Sequence, residues 1–255
     1  MNTAKKISLS LPFVMFAHEY GKICKDLLWI LTGGLSDPSK MPGGSWSISA
    51  VHCKRGSALR KIAGTVCKYC YALKGRYVFP TTVAAHARRL EAYNTDPIRF
   101  AWAMVRLITG DYSNTAKLIP WFRWFDSGDL QSTEMLNTLT IIAENTPDTD
   151  HWMPTREKRI VKDFLRSGGS VPENMVIRIS QDCVNKIEGI HIWDQYAGIC
   201  HSMVYDDTLN LDILLKNGIK ICPVSNPLLD GKTCDHFECR MCWDRNIKVI
   251  AYHAH

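Results

Sequence analysis

Three cysteines near the end of the chain have the spacing of a metal site. They form a C-x4-C-x2-C pattern, and a histidine follows eleven positions after the last of them. Zinc prefers thiolate and imidazole ligands, and four protein ligands make a closed, structural site. The predicted ligands of this structural Zn2+ are Cys234, Cys239, Cys242 and His253. His236 and His255 are alternative fourth ligands, and the alternative to a metal is a group of reduced, buried thiols.

A second group of cysteines lies in the first third of the chain. Cys53, Cys67 and Cys70 are spaced C-x13-C-x2-C. Three thiols could hold a second Zn2+, or an iron–sulfur cluster with an open or remote fourth ligand, for which Cys222 and His52 are candidates. The alternative is a set of redox-inert thiols. Other cysteines, at positions 24, 183 and 200, are interpreted as core or incidental thiols.

Polar side chains follow several apolar segments that have the character of buried strands. The carboxyl ends of parallel strands meet at one edge of a sheet, where ligands bind in both α/β barrels and open α/β sheets. Two carboxylates at such an edge could divide the roles of nucleophile and proton donor. The predicted catalytic residues are Asp126, Asp129 and Asp182, and the predicted substrate-binding residues are Ser127, Gly128, Arg156, Ser225 and Asn226.

Each of these assignments has a structural alternative. Asp129 could cap the next helix, and Arg156 could form an ion pair with a neighbouring acid. Ser225 and Asn226 could form a turn before Pro227.

A basic region lies around the second cysteine group. Residues 38–90 contain ten Lys or Arg residues and no Asp or Glu, in a chain with a net charge of +6. Such a region is typical of a protein that binds a phosphate-bearing partner, and a solvated surface is the alternative. The predicted DNA-binding residues are Lys54, Arg55, Arg60, Lys61, Lys68, Lys74 and Arg76. Aromatic residues between them could stack on bases.

The elements that position these residues alternate between strand and helix. Apolar segments at 118–125, 151–156, 175–180 and 219–224 predict buried strands, and amphipathic segments at 133–144, 157–166 and 206–216 predict helices. Further helices are expected at 80–93 and 97–110, and outer strands at 46–51 and 247–252. This alternation predicts a parallel sheet with helical crossovers. A TIM-like (β/α) barrel, complete or distorted, is the first choice, and an open doubly wound sheet is the second.

Composition places this fold in a reducing compartment. The 255 residues are 46% apolar and include ten cysteines, and no run of eighteen apolar residues exists. The N-terminus lacks the features of a signal peptide, so reduced thiols and a cytoplasmic location are expected, without a membrane partner. We predict an α/β barrel over residues 1–221, with a basic, Cys-containing insertion around 52–79. Residues 222–255 are predicted to form a zinc-binding C-terminal element.

Several short motifs together resemble a known family. In chain order they are Cys67-Lys-Tyr-Cys70-Tyr71-Ala72, Arg123…Ser127-Gly128-Asp129, Pro154-Thr155-Arg156, Cys222-Pro223 and Thr233-Cys234…Cys239…Cys242. This set resembles a phage protein family known as gene product 88 and the related DpdA-type enzymes. Those enzymes resemble tRNA-guanine transglycosylases, which are TIM barrels with a zinc site of three cysteines and one histidine.

The resemblance implies exchange of guanine in DNA for a free 7-deazaguanine base such as preQ0, which protects phage DNA against restriction. A carboxylate, Asp126 or Asp129 with Asp182 in reserve, would form a covalent glycosyl intermediate, and a second acid would protonate the leaving guanine. The location would be the host cytoplasm if a phage encodes the protein. Two other classes remain: an iron–sulfur enzyme using Cys53, Cys67 and Cys70, and a non-catalytic, zinc-dependent DNA-binding protein.

Overall fold

The protein, seen in a computed structural model that describes residues 24–229 and 231–254, is built on one parallel β-sheet. The strands are β1 (Gly44–Trp46), β2 (Trp121–Trp124), β3 (Asp150–Thr155), β4 (Met175–Val184), β5 (Ile199–Tyr205), β6 (Lys220–Ile221) and β7 (Val249–His253). Their order in the sheet is β1-β2-β3-β4-β5-β7-β6, and every neighbouring pair is parallel. The predicted α/β class with a parallel sheet is confirmed.

Helices occupy most of the connections between these strands. They are α1 (Lys25–Thr32), α2 (Lys54–Leu59), α3 (Pro80–Thr95), α4 (Pro97–Thr109), α5 (Thr133–Glu144), α6 (Lys158–Arg166) and α7 (Leu211–Lys216). Short 3-10 turns at 50–52, 66–69, 71–73 and 75–78 fill the loop between β1 and α3. Within the described residues, no helix is long and apolar enough to cross a membrane.

The strand order shows how the sheet is wound. From β1 to β5 each new strand is added on the same side, and right-handed crossovers then place the connecting helices on one face. The main core confirms this, because α4, α5 and α6 all pack on that face. A closed barrel is not observed: across residues 24–229 and 231–254, no ladder joins β1 to β6.

Local sequence explains where several elements begin and end. The Asp96 side chain accepts hydrogen bonds from the backbone N–H groups of Ile98 and Arg99, and Gly110 ends α4 with a positive φ of 75°, as the sequence predicts. Ser132, not Thr133, caps α5 by accepting from Met135 N. Three elements were not predicted, α1, α2 and β5, and the strand predicted at 118–125 is shorter.

The two faces of the sheet are packed differently. Phe122 and Trp124 of β2 lie in the core under the helices, whereas Trp121 points to the opposite face, as strand alternation requires. That opposite face is covered by the chain between β6 and β7, which contributes Trp243 to a cluster with Trp152 of β3. The two indole rings pack edge to face at 5.4 Å.

One buried arginine fixes this covering segment to the sheet. Arg178 of β4 has no exposed surface, and its guanidinium donates to four backbone carbonyls of the segment 241–247. The acceptors are Cys242 O at 3.0 Å, Ile247 O at 2.8 Å, Met241 O at 2.7 Å and Asp244 O at 2.8 Å. A planar guanidinium can bind several carbonyls at once, and each hydrogen bond to a charged donor is stronger than a neutral one.

The chain between β6 and β7 also contacts the other end of the sheet, near β1 and β2. Cys234 N donates to Lys40 O at 2.9 Å, in the loop before β1. The Arg240 guanidinium lies 4.4 Å from the Trp121 ring of β2, within range of a cation–π interaction. The chain then returns as β7, which inserts between β5 and β6. The C-terminal residues are therefore part of the sheet as well as its cover.

Replacing Arg178 should destabilise the protein strongly. Arg178→Met leaves four backbone carbonyls without their buried donor, so the free energy of unfolding should fall by about 3 kcal/mol or more. Urea unfolding of the full chain measures this change. Arg159→Met is the control, because the Arg159 side chain is 93% exposed, and it should change stability by less than about 0.5 kcal/mol. Equal stability of the two variants would contradict the role of Arg178.

A buried histidine links β2 to β3 on the helix-covered face. His151 is fully buried, accepts from Trp124 Nε1 at 3.2 Å and lies 2.8 Å from Thr146 Oγ1 through Nε2. Since Nδ1 is the acceptor, Nε2 carries the proton and donates to the threonine. Burial lowers the pKa of His151 to about 3, so the folded protein holds a neutral ring at neutral pH.

This histidine should make stability depend on pH. The unfolded chain binds a proton below its ordinary pKa of about 6.5, and the folded chain does not until about pH 3, so stability falls as pH falls through this window. Between pH 7 and pH 5 the loss should be about 2 kcal/mol. Urea unfolding at both pH values should show that His151→Gln lacks this part of the loss. The exposed-site control His191→Gln should keep it, and parallel behaviour of both variants would refute the assignment.

Candidate active site at the carboxyl edge of the sheet

The predicted acidic residues gather where the parallel strands end. Asp126 and Asp129 follow β2, Glu157 follows β3, and Asp182 lies near the end of β4. The long loop after β1 lies over the same edge, because its Thr65 forms a backbone bridge with Cys183 of β4. Acidic residues and the cysteines of this loop therefore share one surface, which we call the carboxyl edge.

Asp126 is held by the ends of β1 and by two tyrosines. Its carboxylate accepts from Ser45 Oγ at 3.4 Å and from Tyr77 OH at 3.2 Å, and its backbone N–H donates to Ser47 Oγ at 3.0 Å. Tyr71 OH donates to the Asp126 backbone carbonyl at 2.6 Å. The two tyrosine rings pack edge to face at 5.6 Å. Within residues 24–229 and 231–254, hydroxyl groups orient this carboxylate and no salt bridge reaches it.

Two further groups from α3 lie beside Asp126, and the sequence did not single them out. The ring of His86 stacks on Tyr77 at 6.3 Å, and burial is the main cause of its lowered pKa. Arg89 is buried and donates from Nε to Gly34 O at 2.8 Å. Burial lowers the pKa of Arg89 to about 10, although the charge of Asp126 opposes the shift. The signal in the sequence is the spacing of His86 and Arg89. They lie three positions apart on one predicted helix, and therefore on the same face of it.

The turn that carries Asp126 has an unusual backbone. Phe125 is buried and has a φ of 58°, a left-handed conformation that is costly for a bulky residue. Gly128 has a φ of 79°, and a Cβ there would lie 2.4 Å from the Ile48 side chain. Glycine at position 128 therefore allows this turn to pack closely against Ile48. The Ser127 hydroxyl is buried and has no hydrogen-bond partner in the described part of the chain.

Asp129 is a buried carboxylate with three donors. It accepts from Thr155 Oγ1 at 2.6 Å, Arg156 N at 2.9 Å and Leu130 N at 2.8 Å. Burial nevertheless raises the pKa of Asp129 to about 6. Its alternative role as a helix cap is wrong, since Ser132 caps α5. A carboxyl group with this pKa can exchange a proton near neutral pH.

A charged network lies next to Asp129. The Glu157 carboxylate accepts from Arg55 N at 2.7 Å, and the Arg55 guanidinium pairs with Asp182 at 2.6 Å. Lys158 Nζ lies 3.5 Å from Asp182 as well. Asp182 is therefore engaged in ion pairs. Arg156 donates from Nε to Gln181 O at 3.4 Å, so it faces the end of β4.

The three N-terminal-half cysteines lie together beside Asp129. A Cβ placed on Gly56 would be 3.7 Å from Cys53 Sγ and 3.5 Å from Cys67 Sγ, so both sulfurs border the space that this glycine leaves. Burial raises the pKa of Cys53 to about 12, with further contributions from Asp129, Cys70 and Cys67. Burial also raises the pKa of Cys67, while the charge of Arg156 lowers it. The three thiols and Asp129 therefore lie close enough for their charges to interact.

The C-terminal cysteines have a different fourth neighbour from the predicted one. His253 Nε2 donates to Asp207 at 2.9 Å, and Nδ1 lies 2.7 Å from Ala254 O. Both ring nitrogens therefore lie within hydrogen-bond distance of oxygen atoms, so His253 is engaged in contacts other than those with the cysteines. Its role as a metal ligand stays a prediction. His255 lies outside the described residues, and His236 packs against Phe237 at 4.8 Å.

Neither cysteine group is a finished metal site. Counting residues 24–229 and 231–254, no group of three or more His, Cys, Asp or Glu side chains has an arrangement that could hold a metal ion. Cys222 lies in one apolar cluster with Cys242, so it belongs with the C-terminal cysteines rather than with Cys53. His52 is exposed, and its carbonyl accepts from Gln131 at 3.2 Å.

Two predicted substrate-binding residues have local structural roles. Ser225 Oγ donates to Cys222 O at 3.0 Å and accepts from His253 N at 3.0 Å. The Asn226 side chain accepts from Leu228 N at 2.9 Å, as in a turn. These hydrogen bonds favour the alternative interpretation, in which Ser225 and Asn226 form a turn before Pro227.

The basic residues divide into two groups. Lys54 donates to Gln131 O at 2.5 Å, Arg60 donates to Ala50 O at 2.9 Å, and Arg55 pairs with Asp182 as described, so these three stabilise the loop. The other four, Lys61, Lys68, Lys74 and Arg76, are all exposed. Tyr69 is 78% exposed and Phe79 is 55% exposed in the same region. Exposed cations and aromatic rings therefore lie together on one loop.

Comparison with known proteins gives one match. The family model described as Gene product 88 matches residues 20–245, which is most of the chain. No curated protein and no solved structure matches. The chain therefore belongs to the Gene product 88 family of phage proteins.

Proposed function

We propose that this protein is an enzyme whose reaction takes place at the carboxyl edge, with an iron–sulfur cluster bound by Cys53, Cys67 and Cys70. The observation that carries this proposal is the position of the three thiols. They come from the first loop of a parallel sheet and lie beside the buried Asp129, at the edge where α/β enzymes bind ligands.

The chemistry of the donor set supports an iron–sulfur cluster. Iron–sulfur clusters are held by cysteine thiolates, and here Gly56 leaves room beside two of the three thiols, those of Cys53 and Cys67. A cluster held by Cys53, Cys67 and Cys70 would supply electron transfer at this edge. Metal binding and the final placement of ligands are coupled in many small sites, so the thiols need not be fully assembled beforehand.

Residues around the cluster supply proton transfer and charge. Asp129 can hold or release a proton, because its pKa of about 6 is close to neutral pH. Thr155 and the Arg156 backbone fix its two oxygens. Arg156 places a positive charge near Cys67, which favours the thiolate form that a metal requires. The Arg55–Asp182 ion pair anchors the cysteine loop to β4.

Iron content tests this proposal. Protein purified without oxygen should be brown and contain iron and sulfide, whereas Cys67→Ser should lose both, because one of three protein ligands is removed. Cys183→Ser is the matched control, since Cys183 lies on β4 opposite Thr65 of the same loop but outside the three-thiol group. Iron-free wild-type protein after anaerobic reconstitution, or equal iron in Cys67→Ser, would refute the cluster.

Base exchange on DNA is a second candidate, favoured by the contrast between two carboxylates. Asp126 is held mainly by hydroxyl groups, whereas burial raises the pKa of Asp129 to about 6. A retaining exchange needs one carboxylate as a nucleophile and a second group as an acid. These environments suit Asp126 and Asp129 for the two roles. The exposed loop cations and Tyr69 could bind an opened strand whose guanine is flipped out.

Exchange is tested by incubating the protein with guanine-containing DNA and preQ0, then measuring the deazaguanosine by mass spectrometry. Incorporation is expected, and Asp129→Asn should reduce its rate by about 100-fold or more if Asp129 is the acid. Asp163→Asn, an exposed change on α6, should leave the rate unchanged. Absence of incorporation into both duplex and single-stranded DNA would exclude base exchange, without bearing on the iron measurement.

A further inference from the structure

The C-terminal cysteines lie near Cys222, which the sequence suggests as a candidate ligand of the other cysteine group. Cys222 directly follows β6, and its backbone N–H donates to Ala251 O of β7 at 2.9 Å. It lies in the apolar cluster that contains Cys242, Trp243 and Ile250. Cys222 and Cys242 are each only 8% exposed. The strand pairing therefore brings together two thiols that are twenty positions apart in sequence.

The other two cysteines close the same group. Cys239 N donates to Cys234 O at 2.9 Å, which folds the intervening loop back on itself. Cys242 Sγ lies 3.2 Å from the hydroxyl of Tyr252, on the strand next to Cys222. Cys234 is buried, and its backbone is fixed by Lys40. These contacts hold Cys234, Cys239 and Cys242, on the covering segment, near the pair of strands that carries Cys222.

The sulfurs of this group lie near one another. Cys234 is close enough to Cys222 and Cys239 for their charges to interact. Cys242 is likewise close enough to Cys222 and Cys234.

We propose that Cys222, rather than His253, completes the C-terminal metal site, which is a four-thiolate zinc site formed by Cys222, Cys234, Cys239 and Cys242. Four thiolates are a common ligand set of structural zinc. Such a site leaves no open coordination position, so its role is to fasten the covering segment to the sheet. Zinc binding has to draw the four sulfurs together, as expected where metal binding and folding are coupled. This inference is independent of the function proposed above.

Zinc per chain tests the assignment in the full-length protein. The Cys67→Ser background is used as well as the wild type, so that metal at the first cysteine group does not contribute. One zinc per chain is expected in both, retained in His253→Gln and lost in Cys222→Ser. Cys200→Ser is the matched control: this buried thiol, which donates to Arg245 O at 3.4 Å, should be replaced without loss of zinc. Zinc-free Cys67→Ser protein, or loss of zinc in His253→Gln with retention in Cys222→Ser, would overturn the proposal.

A second measurement applies if Cys222→Ser does not fold. Cys222→His keeps a ligand in place, and cobalt can replace zinc in both the wild type and this variant. The thiolate-to-cobalt charge-transfer absorption should fall by about a quarter, because one of four sulfur ligands has become nitrogen. His253→Gln should leave this absorption unchanged. An unchanged spectrum in Cys222→His would also overturn the proposal.

Discussion

The arrangement of the molecule depends on a cation buried in the middle of its sheet. The acceptors of the Arg178 guanidinium among the described residues are backbone carbonyls, which belong mainly to one segment far along the chain. A buried charge without enough acceptors is costly, so the segment 241–247 has to take up a conformation that points its carbonyls inward. This requirement orients Trp243 towards β3 and directs the following residues into β7. One side chain thereby sets the path of the last part of the chain.

That path separates two cysteine groups with different surroundings. The C-terminal group lies within the covering segment, where Cys242 packs with Trp243 and Trp152 and next to Tyr252. The Cys53 group lies at the carboxyl edge, beside Asp129 and Arg156, where strand ends place polar side chains. Apolar surroundings suit a structural role, and charged surroundings suit chemistry. The parallel sheet determines this division, because its strand ends and its covered face offer different partners.

Much of the fold could be predicted from the sequence because local signals were strong. Asp96-Pro97 and Gly110 define α4 by capping chemistry alone, and the apolar residues around Phe122 indicate a buried strand. β5 was missed because it contains Cys200, His201 and Ser202, whose polar groups find partners only in the folded sheet; Ser202, for example, lies 3.0 Å from Ser180 Oγ. Closure into a barrel was expected from the strand–helix alternation, but the space between the outer strands is spanned by residues 234–240 instead.

The candidate site was predictable in part. Asp126 and Asp129 follow an apolar strand, so their position at the carboxyl edge could be inferred from topology. Tyr77, His86 and Arg89 were not singled out, since only folding brings the turn at 75–78 and α3 to Asp126. His253 was preferred because the apolar strand before it could bring it back to the cysteines, whereas the pairing of β6 with β7 places Cys222 in one cluster with Cys242.

The outermost strands have a consequence for the behaviour of the protein in solution. β1 has three residues and β6 has two, and Ser45 of β1 already pairs with Ser36 of the preceding loop. Long exposed edge strands invite another chain to add itself to a sheet, which leads to aggregation. Here the longest strand, β4, lies at the centre, and the edges offer only a few free backbone groups. The fold can therefore keep an open parallel sheet without presenting a template on which copies of the chain would assemble.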